Sequence, residues 1–216
     1  FAVYANDTWA LTERFKLDAG IRHERYRYEG YAEQTAQVDL GDRNTLADNT
    51  TRRFTGVVQN HRLNPTATNW TVGANYDFTA TVGAYARVSH MEIVPNSSVA
   101  RSIDPTIVQT QLDQYELGLK AGFGRSYLYL TAFYTKFDPL NASFVAFNPT
   151  TGRNDQSVPF IGTAVSKGIE LDGLFRPLDW FSIAGSITVS DPQYDSLQND
   201  SGADPAAVNG KQIVRE

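Results

Sequence analysis

The stretch FKLDAGI, residues 15–21, alternates apolar and polar side chains with a period of two. In an extended strand successive side chains point to opposite faces, so this period separates an apolar face from a polar one. The apolar members are Phe15, Leu17, Ala19 and Ile21, and the polar or small members are Lys16, Asp18 and Gly20. The stretch therefore predicts a β-strand whose two faces meet different environments.

The same alternation recurs along the chain, and helical spacing is nowhere comparably strong. Within residues 127–137 neither face is plainly polar, and we assign the leucine-containing set to the apolar face. Most of the predicted strands are near the roughly 9 to 11 residues of a tilted transmembrane strand. The eight predicted strands span residues 1–11, 15–28, 69–78, 82–90, 114–121, 127–137, 164–176 and 180–190.

The connections between these strands fall into two length classes. Short ones lie near residues 12–14, 79–81, 122–126 and 177–179, and long polar ones near 30–68, 91–113, 138–163 and from 191 onward. Up-and-down strands place alternate connections at opposite rims of a sheet. Transmembrane barrels combine short turns at one rim, long loops at the other, an apolar exterior and a polar lumen. The predicted fold class is therefore all-β, with antiparallel up-and-down strands that form a transmembrane β-barrel.

Composition narrows the class of protein further. The chain has 216 residues, 41% of them hydrophobic, and contains no cysteine, which excludes only a disulfide-stapled scaffold. No apolar stretch approaches the roughly 18 to 20 residues of a membrane-spanning helix. The formal net charge of -5 argues against a nucleic-acid partner, because phosphate binding favours a basic face. We therefore expect no nucleic acid among the partners.

Both ends of the sequence resemble interrupted strands. Phe1 begins directly with a strand-like segment, and residues 209–216 have the pattern of an approach to another strand. We expect the sequence to be an internal piece of a longer protein.

Five strings of residues carry a family resemblance. The strings YELGLKAGF (115–123), LYLTAFYTKFDPL (128–140), SKGIELDG (166–173) and RPLDWFSIAGSITVSD (176–191) resemble, in this order, the later barrel strands of TonB-dependent outer-membrane receptors. LDAGIRHERY (17–26) resembles an earlier hairpin of the same family. The resemblance covers nearly all of the predicted strands, whereas the long loops add nothing to it.

The resemblance implies a segment of a large barrel, of about 22 strands, whose lumen is closed by a plug domain. Residues 1–216 would form one partial barrel domain of about eight strands, without the plug and the terminal strands. The implied function is import of a scarce nutrient, a siderophore, cobalamin or an oligosaccharide, across the outer membrane with energy relayed by TonB. The implied partners are the TonB complex acting through the plug, the transported ligand and outer-membrane lipid.

Ligand contacts in such a barrel are expected from the outer loops, where aromatic rings stack on sugars or apolar ligands. The predicted substrate-binding residues are Tyr31, Phe144, Phe147, Arg153, Phe160 and Tyr194. Charged residues on the polar faces are expected to form ion pairs with one another or with a plug. They include Lys16, Asp18, Arg22, Glu24, Arg87, Glu116, Lys120, Glu170 and Asp172.

The sequence offers no signature of an enzyme. His23, His61 and His90 lack metal-ligand spacing, and nucleophile-elbow, Walker and dinucleotide-binding patterns do not occur. We expect no catalytic residues, no cofactor and no metal site. Two other functions stay open: a self-contained eight-stranded outer-membrane barrel with a structural or adhesive role, and an outer-membrane hydrolase that uses His90 or His23.

Overall fold

The computed structural model describes residues 1–38, 41, 51–103, 105, 107–148 and 153–199, and only the backbone of residues 37, 141–148, 153–160 and 197–199. The described residues form ten strands and one 3₁₀ helix, Ser97–Arg101. No helix among them is long and apolar enough to cross a membrane. The strands are β1 Ala2–Ala10, β2 Phe15–Arg25, β3 Tyr28–Gln37, β4 Arg52–Leu63, β5 Thr66–Asp77, β6 Val82–Ile93, β7 Thr110–Phe123, β8 Ser126–Asn148, β9 Arg153–Leu178 and β10 Phe181–Asn199.

The chain divides into two compact units. The sheet unit comprises residues 2–23, 67–93 and 109–216, and the hairpin unit comprises residues 1, 24–66 and 94–108. The strands of the sheet unit follow the order β1-β2-β5-β6-β7-β8-β9-β10, and β5 to β10 pair antiparallel with their neighbours in sequence. The predicted all-β, up-and-down fold class is confirmed, and all eight predicted strands are present.

The two faces of the sheet differ as the alternation predicts. Leu119 pairs with Leu130 on one face, and Gly118 pairs with Thr131 on the other. The leucine-containing side of β8 thus belongs to the apolar face, as predicted. This apolar face has little cover from the described residues, since the exposed fraction is 64% for Leu117 and 65% for Ile187.

The sheet unit has no core of large apolar side chains among the described residues. Its buried hydrophobic residues there are Ala67 and Ala164, and those of the hairpin unit are also alanines, Ala32 and Ala100. A water-soluble β-sandwich instead buries the large residues of two facing sheets. The exposure pattern is that of a wall with apolar side chains outside and polar side chains inside.

Side chains on the polar face cover glycines of neighbouring strands. The Tyr85 ring lies over Gly118, and its hydroxyl is 2.5 Å from Thr131 Oγ1, so one side chain from β6 crosses β7 to reach β8. The Asp18 carboxylate occupies in the same way the space where a Cβ on Gly73 would lie. Since a shift of one residue would turn each glycine to the other face, these contacts favour a single register.

The short connections agree with prediction. Thr79 Oγ1 accepts hydrogen bonds from the backbone N–H groups of Thr81 and Val82, at 3.2 Å and 3.0 Å, in the turn between β5 and β6. Between β7 and β8, Gly124 has a φ of 63°, a left-handed conformation that favours glycine.

Three of the long connections contain more regular structure than the sequence predicts. β8 and β9 continue their ladder to the pair Asn148 and Arg153, so much of the predicted 138–163 loop is a hairpin. β10 extends to Asn199, and the predicted 30–68 loop contains β3 and β4. Asn, Ser, Gly and Pro in these segments indicated loops, but cross-strand backbone pairing tolerates them where the ladder shifts register, as between Phe137 and Leu140.

We predict that Gly118→Ala lowers the stability of the full-length protein by about 1–3 kcal/mol, because the new Cβ overlaps the Tyr85 ring. The measurement is the urea unfolding midpoint of the protein folded in lipid vesicles. Gly185→Ala is the matched control, because a Cβ there meets no atom within 4 Å. Equal unfolding midpoints for the two variants would contradict the prediction, because they would show that the packing of the Tyr85 ring does not require a glycine at position 118.

Candidate functional site

The hairpin unit presents one exposed face that carries a predicted binding residue. Antiparallel pairing of β3 with β4 sets Glu29 opposite Arg62 and Tyr31 opposite Asn60, on successive rungs of the same face. Tyr31 is 65% exposed. We call the side chains of Arg27, Glu29, Tyr31, Asn60 and Arg62 the arginine face.

The opposite face of the hairpin is fixed by the segment that contains the 3₁₀ helix. The Tyr28 hydroxyl donates a hydrogen bond to the Pro95 carbonyl at 2.9 Å. Gly30 lies so close to Ala100 that an added Cβ would be 2.6 Å from its carbonyl oxygen. These contacts hold the backbone of β3 in place. The side chains of the arginine face are therefore attached to an ordered strand and not to a free loop.

Two guanidinium groups of the arginine face share one carboxylate oxygen. Arg27 donates to Glu29 Oε1 through Nη2 at 2.6 Å and Nε at 3.0 Å, and Arg62 donates to the same oxygen through Nε at 2.9 Å. The Arg27 hydrogen bond, followed by that of Arg62, lowers the pKa of the Glu29 carboxyl below its ordinary value. Two cations on one anion leave one net positive charge on this face.

The sheet unit carries a groove on its polar face. The groove has a volume of about 410 Å³ and opens between β1, β2, β5, β6 and β7. Its lining includes small residues, and among them Thr71 Oγ1 lies 2.9 Å from Ser89 Oγ. The larger lining side chains include Tyr4, Asn6, Arg22, Met91, Leu112 and Gln114. A groove of this size can hold a small solute, because ligand sites typically measure about 300–1,000 Å³.

Ion pairs join the strands on the polar face, as the sequence predicts. Arg87 Nη2 lies 3.7 Å from Asp18 Oδ2, and Lys120 Nζ lies 2.9 Å from Asp77 Oδ1. Asp77 was not in the predicted set. These pairs connect β2 with β6 and β5 with β7, so the charges stabilise the wall instead of forming a reactive centre.

The two histidines proposed for a hydrolase have other partners. His90 Nδ1 lies 2.6 Å from Asp113 Oδ1, and its ring stacks on Trp70 with a centroid distance of 5.8 Å. His23 Nδ1 lies 2.9 Å from Thr68 Oγ1. Within the described part of the chain, neither imidazole is hydrogen-bonded to a serine hydroxyl, so no Ser–His–Asp relay is assembled there.

The six predicted binding residues divide between the two units. Tyr31 belongs to the hairpin unit, whereas the other five belong to the sheet unit. Phe144, Phe147, Arg153 and Phe160 lie on β8 and β9, and their side chains are outside the described part of the structure. Tyr194 lies on β10 opposite Ala164 and is half-buried. Their placement in loops was wrong, and their role in binding stays a prediction.

Sequence reasoning missed the two arginines beside Tyr31. Residues 27, 29 and 31 continue the period-two pattern beyond the predicted strand that ends at residue 28, and this signal was readable. The contact of Arg62 with Glu29 could not be predicted from the sequence, because it depends on the register of β3 with β4.

The fold and the polar-face geometry define a β-barrel wall, and the sequence family agrees. The family described as TonB dependent receptor-like, beta-barrel, matches residues 1–215, and the chain belongs to that family. The family is one of transport receptors rather than of enzymes. No curated protein matches the chain significantly.

Three solved structures share the fold. The ferric yersiniabactin uptake receptor FyuA from Yersinia pestis matches with a TM-score of 0.61 and 19% identity, over 89% of this chain and 26% of that one. The ferric-catecholate import receptor Fiu from K12 E. coli matches with a TM-score of 0.66 and 19% identity, over 94% of this chain and 29% of that one. The copper transporter OprC matches with a TM-score of 0.63 and 16% identity, over 89% of this chain and 28% of that one. The chain thus spans between a quarter and a third of the length of these proteins.

We predict that acidification loosens the hairpin through Glu29. Because the folded-state pKa of Glu29 is lowered, its stabilising contribution is complete above the ordinary carboxyl pKa of about 4.3 and is lost as the pH falls through the lower folded value. Hydrogen exchange of β3 amides in the full-length protein should show wild type better protected than Glu29→Gln at pH 7. The difference should vanish in acid, and a difference that persists there would contradict this assignment.

Proposed function

We propose that this chain is part of the wall of an outer-membrane receptor that imports a scarce nutrient with energy relayed by TonB. The observation that supports this most is the exposure pattern of the sheet unit. Large apolar side chains such as Leu117 and Ile187 are exposed on one face, while Asp18, Arg87 and Lys120 pair on the other. Such a sheet suits lipid on one side and a wet lumen on the other.

We further propose that residues 1–216 form one continuous segment of barrel, with the plug and the remaining strands supplied elsewhere in the full-length protein. The short coverage of the solved receptors, 26% of FyuA and 29% of Fiu, supports this. The partners are then the TonB complex, reached through the plug, and outer-membrane lipid against the apolar face.

An iron chelate is the first candidate for the nutrient, ahead of cobalamin and an oligosaccharide. Two of the proteins that share the fold are described as receptors for ferric yersiniabactin uptake and ferric-catecholate import. Identities of 19% carry the fold alone, so this order of candidates rests on analogy.

A self-contained eight-stranded barrel is the alternative. It requires hydrogen bonds between the first and last strands of the sheet, because only closure removes the strand edges. Among the described residues, β1 and β10 stand at opposite ends of the strand order and are not paired with each other. The receptor segment is therefore favoured.

We predict that deleting the full-length gene abolishes growth of its host on the receptor's nutrient when that nutrient is scarce, and that deleting tonB has the same effect. The measurement is uptake of ⁵⁵Fe supplied as different chelates, and of labelled cobalamin and maltodextrins, at limiting concentration. The control is the same uptake at a high concentration, where passive entry makes the receptor dispensable. Uptake that needs the gene but not tonB would contradict energised transport, and so would unchanged uptake of every nutrient.

A further inference from the structure

The arginine face combines charge, hydrogen-bond donors and an aromatic ring. Arg27 directly precedes β3, Glu29 and Tyr31 lie on β3, and their partners Arg62 and Asn60 lie on β4. Each guanidinium group carries five N–H donors. The described contacts use Nε and Nη2 of both arginines, all to Glu29 Oε1, because Arg62 Nη2 also lies 2.8 Å from that oxygen. In the described part of the chain neither Nη1 group has a partner, although both side chains are more than 60% exposed, at 62% and 64%.

The charge on this face is not cancelled by the neighbouring acid. Glu33 lies four residues beyond Glu29, which is about 13 Å along a strand. Its Oε1 accepts a hydrogen bond from the Gly56 N–H at 3.2 Å, at the irregular position where β4 shifts register. The excess positive charge therefore stays beside Tyr31, whose ring is one rung from Glu29.

We propose that the arginine face binds a small anionic ligand through carboxylate or phenolate oxygens, with Arg27 and Arg62 as donors and Tyr31 as a stacking surface. Planar guanidinium groups suit two-oxygen anions, and charge-assisted hydrogen bonds are the strong ones. Glu29 is a positioning residue, because it holds both guanidinium groups within 3.0 Å of one point. This inference rests on the proposed import function and narrows its substrate to an anionic solute rather than a neutral one.

The experiment uses the full-length receptor in detergent and four probes of different charge. Ferric citrate and ferric 2,3-dihydroxybenzoate are anionic, the first through carboxylates and the second through phenolates, cyanocobalamin is neutral and ferrioxamine B is cationic. We expect at least one anionic probe to bind, and Arg27→Gln/Arg62→Gln to weaken that binding tenfold or more. Binding should also weaken with rising salt in wild type and much less in the double variant.

Arg53→Gln is the matched control, since Arg53 lies on the same hairpin but opposite Ala36, on the other face. It should change affinity by less than twofold. Arg27→Lys/Arg62→Lys keeps the positive charge and should recover part of the binding that the glutamine variant loses. If the two arginines had only a structural role, binding would not depend on the charge of the substituted side chains. Equal electrophoretic heat-modifiability of all variants verifies that each one is folded.

Three binding results would overturn the proposal: binding of neither anionic probe by wild type, tighter binding of cyanocobalamin or ferrioxamine B, or equal affinity of wild type and the double variant. TonB-dependent uptake of a neutral nutrient that is insensitive to the double substitution would refute the anionic site and leave the import function standing. If the wild-type receptor instead supports no TonB-dependent uptake of any nutrient, the import function is refuted.

Discussion

Backbone hydrogen bonding between neighbouring strands is the constraint on which the rest of this structure depends. The described residues bury no large apolar side chain, so a conventional hydrophobic core does not hold the sheet together. Antiparallel ladders from β5 to β10 satisfy the backbone polar groups instead. Where lipid replaces water outside, each unpaired N–H or C=O would cost several kcal/mol, which makes the ladder the dominant stabilising element.

The polar face adds specificity to these ladders. Backbone pairing alone tolerates a shift in register, but Tyr85 over Gly118 and Asp18 over Gly73 fit in one register only. Ion pairs that skip a strand, such as Lys120 with Asp77, act in the same direction. The glycines are therefore part of the packing of the wall, since each leaves space for a side chain from the adjacent strand.

The hairpin unit shows how the proposed site arises where the sequence predicts a loop. Tyr28 and Gly30 fix one face of β3 against Pro95 and Ala100, and this leaves the arginine face outward. A flexible loop would lose much entropy on arranging two arginines around a ligand, whereas here Glu29 arranges them in advance. This preorganisation makes the face a better candidate than an arbitrary cluster of surface charges.

The sequence by itself determined the period of two, the apolar and polar faces, the short turns and the receptor family, because these depend on local alternation along one strand. Only the tertiary structure decided the length of the β8–β9 hairpin, the strands within residues 30–68 and the meeting of Arg27 with Arg62. Those features depend on the register between strands, and register is set by cross-strand contacts that no local pattern contains. The proposed site was accordingly predicted in part. Tyr31 was proposed as a binding residue from its type and position, and that role stays a prediction, whereas the position of Arg62 beside Glu29 follows only from the pairing of β3 with β4.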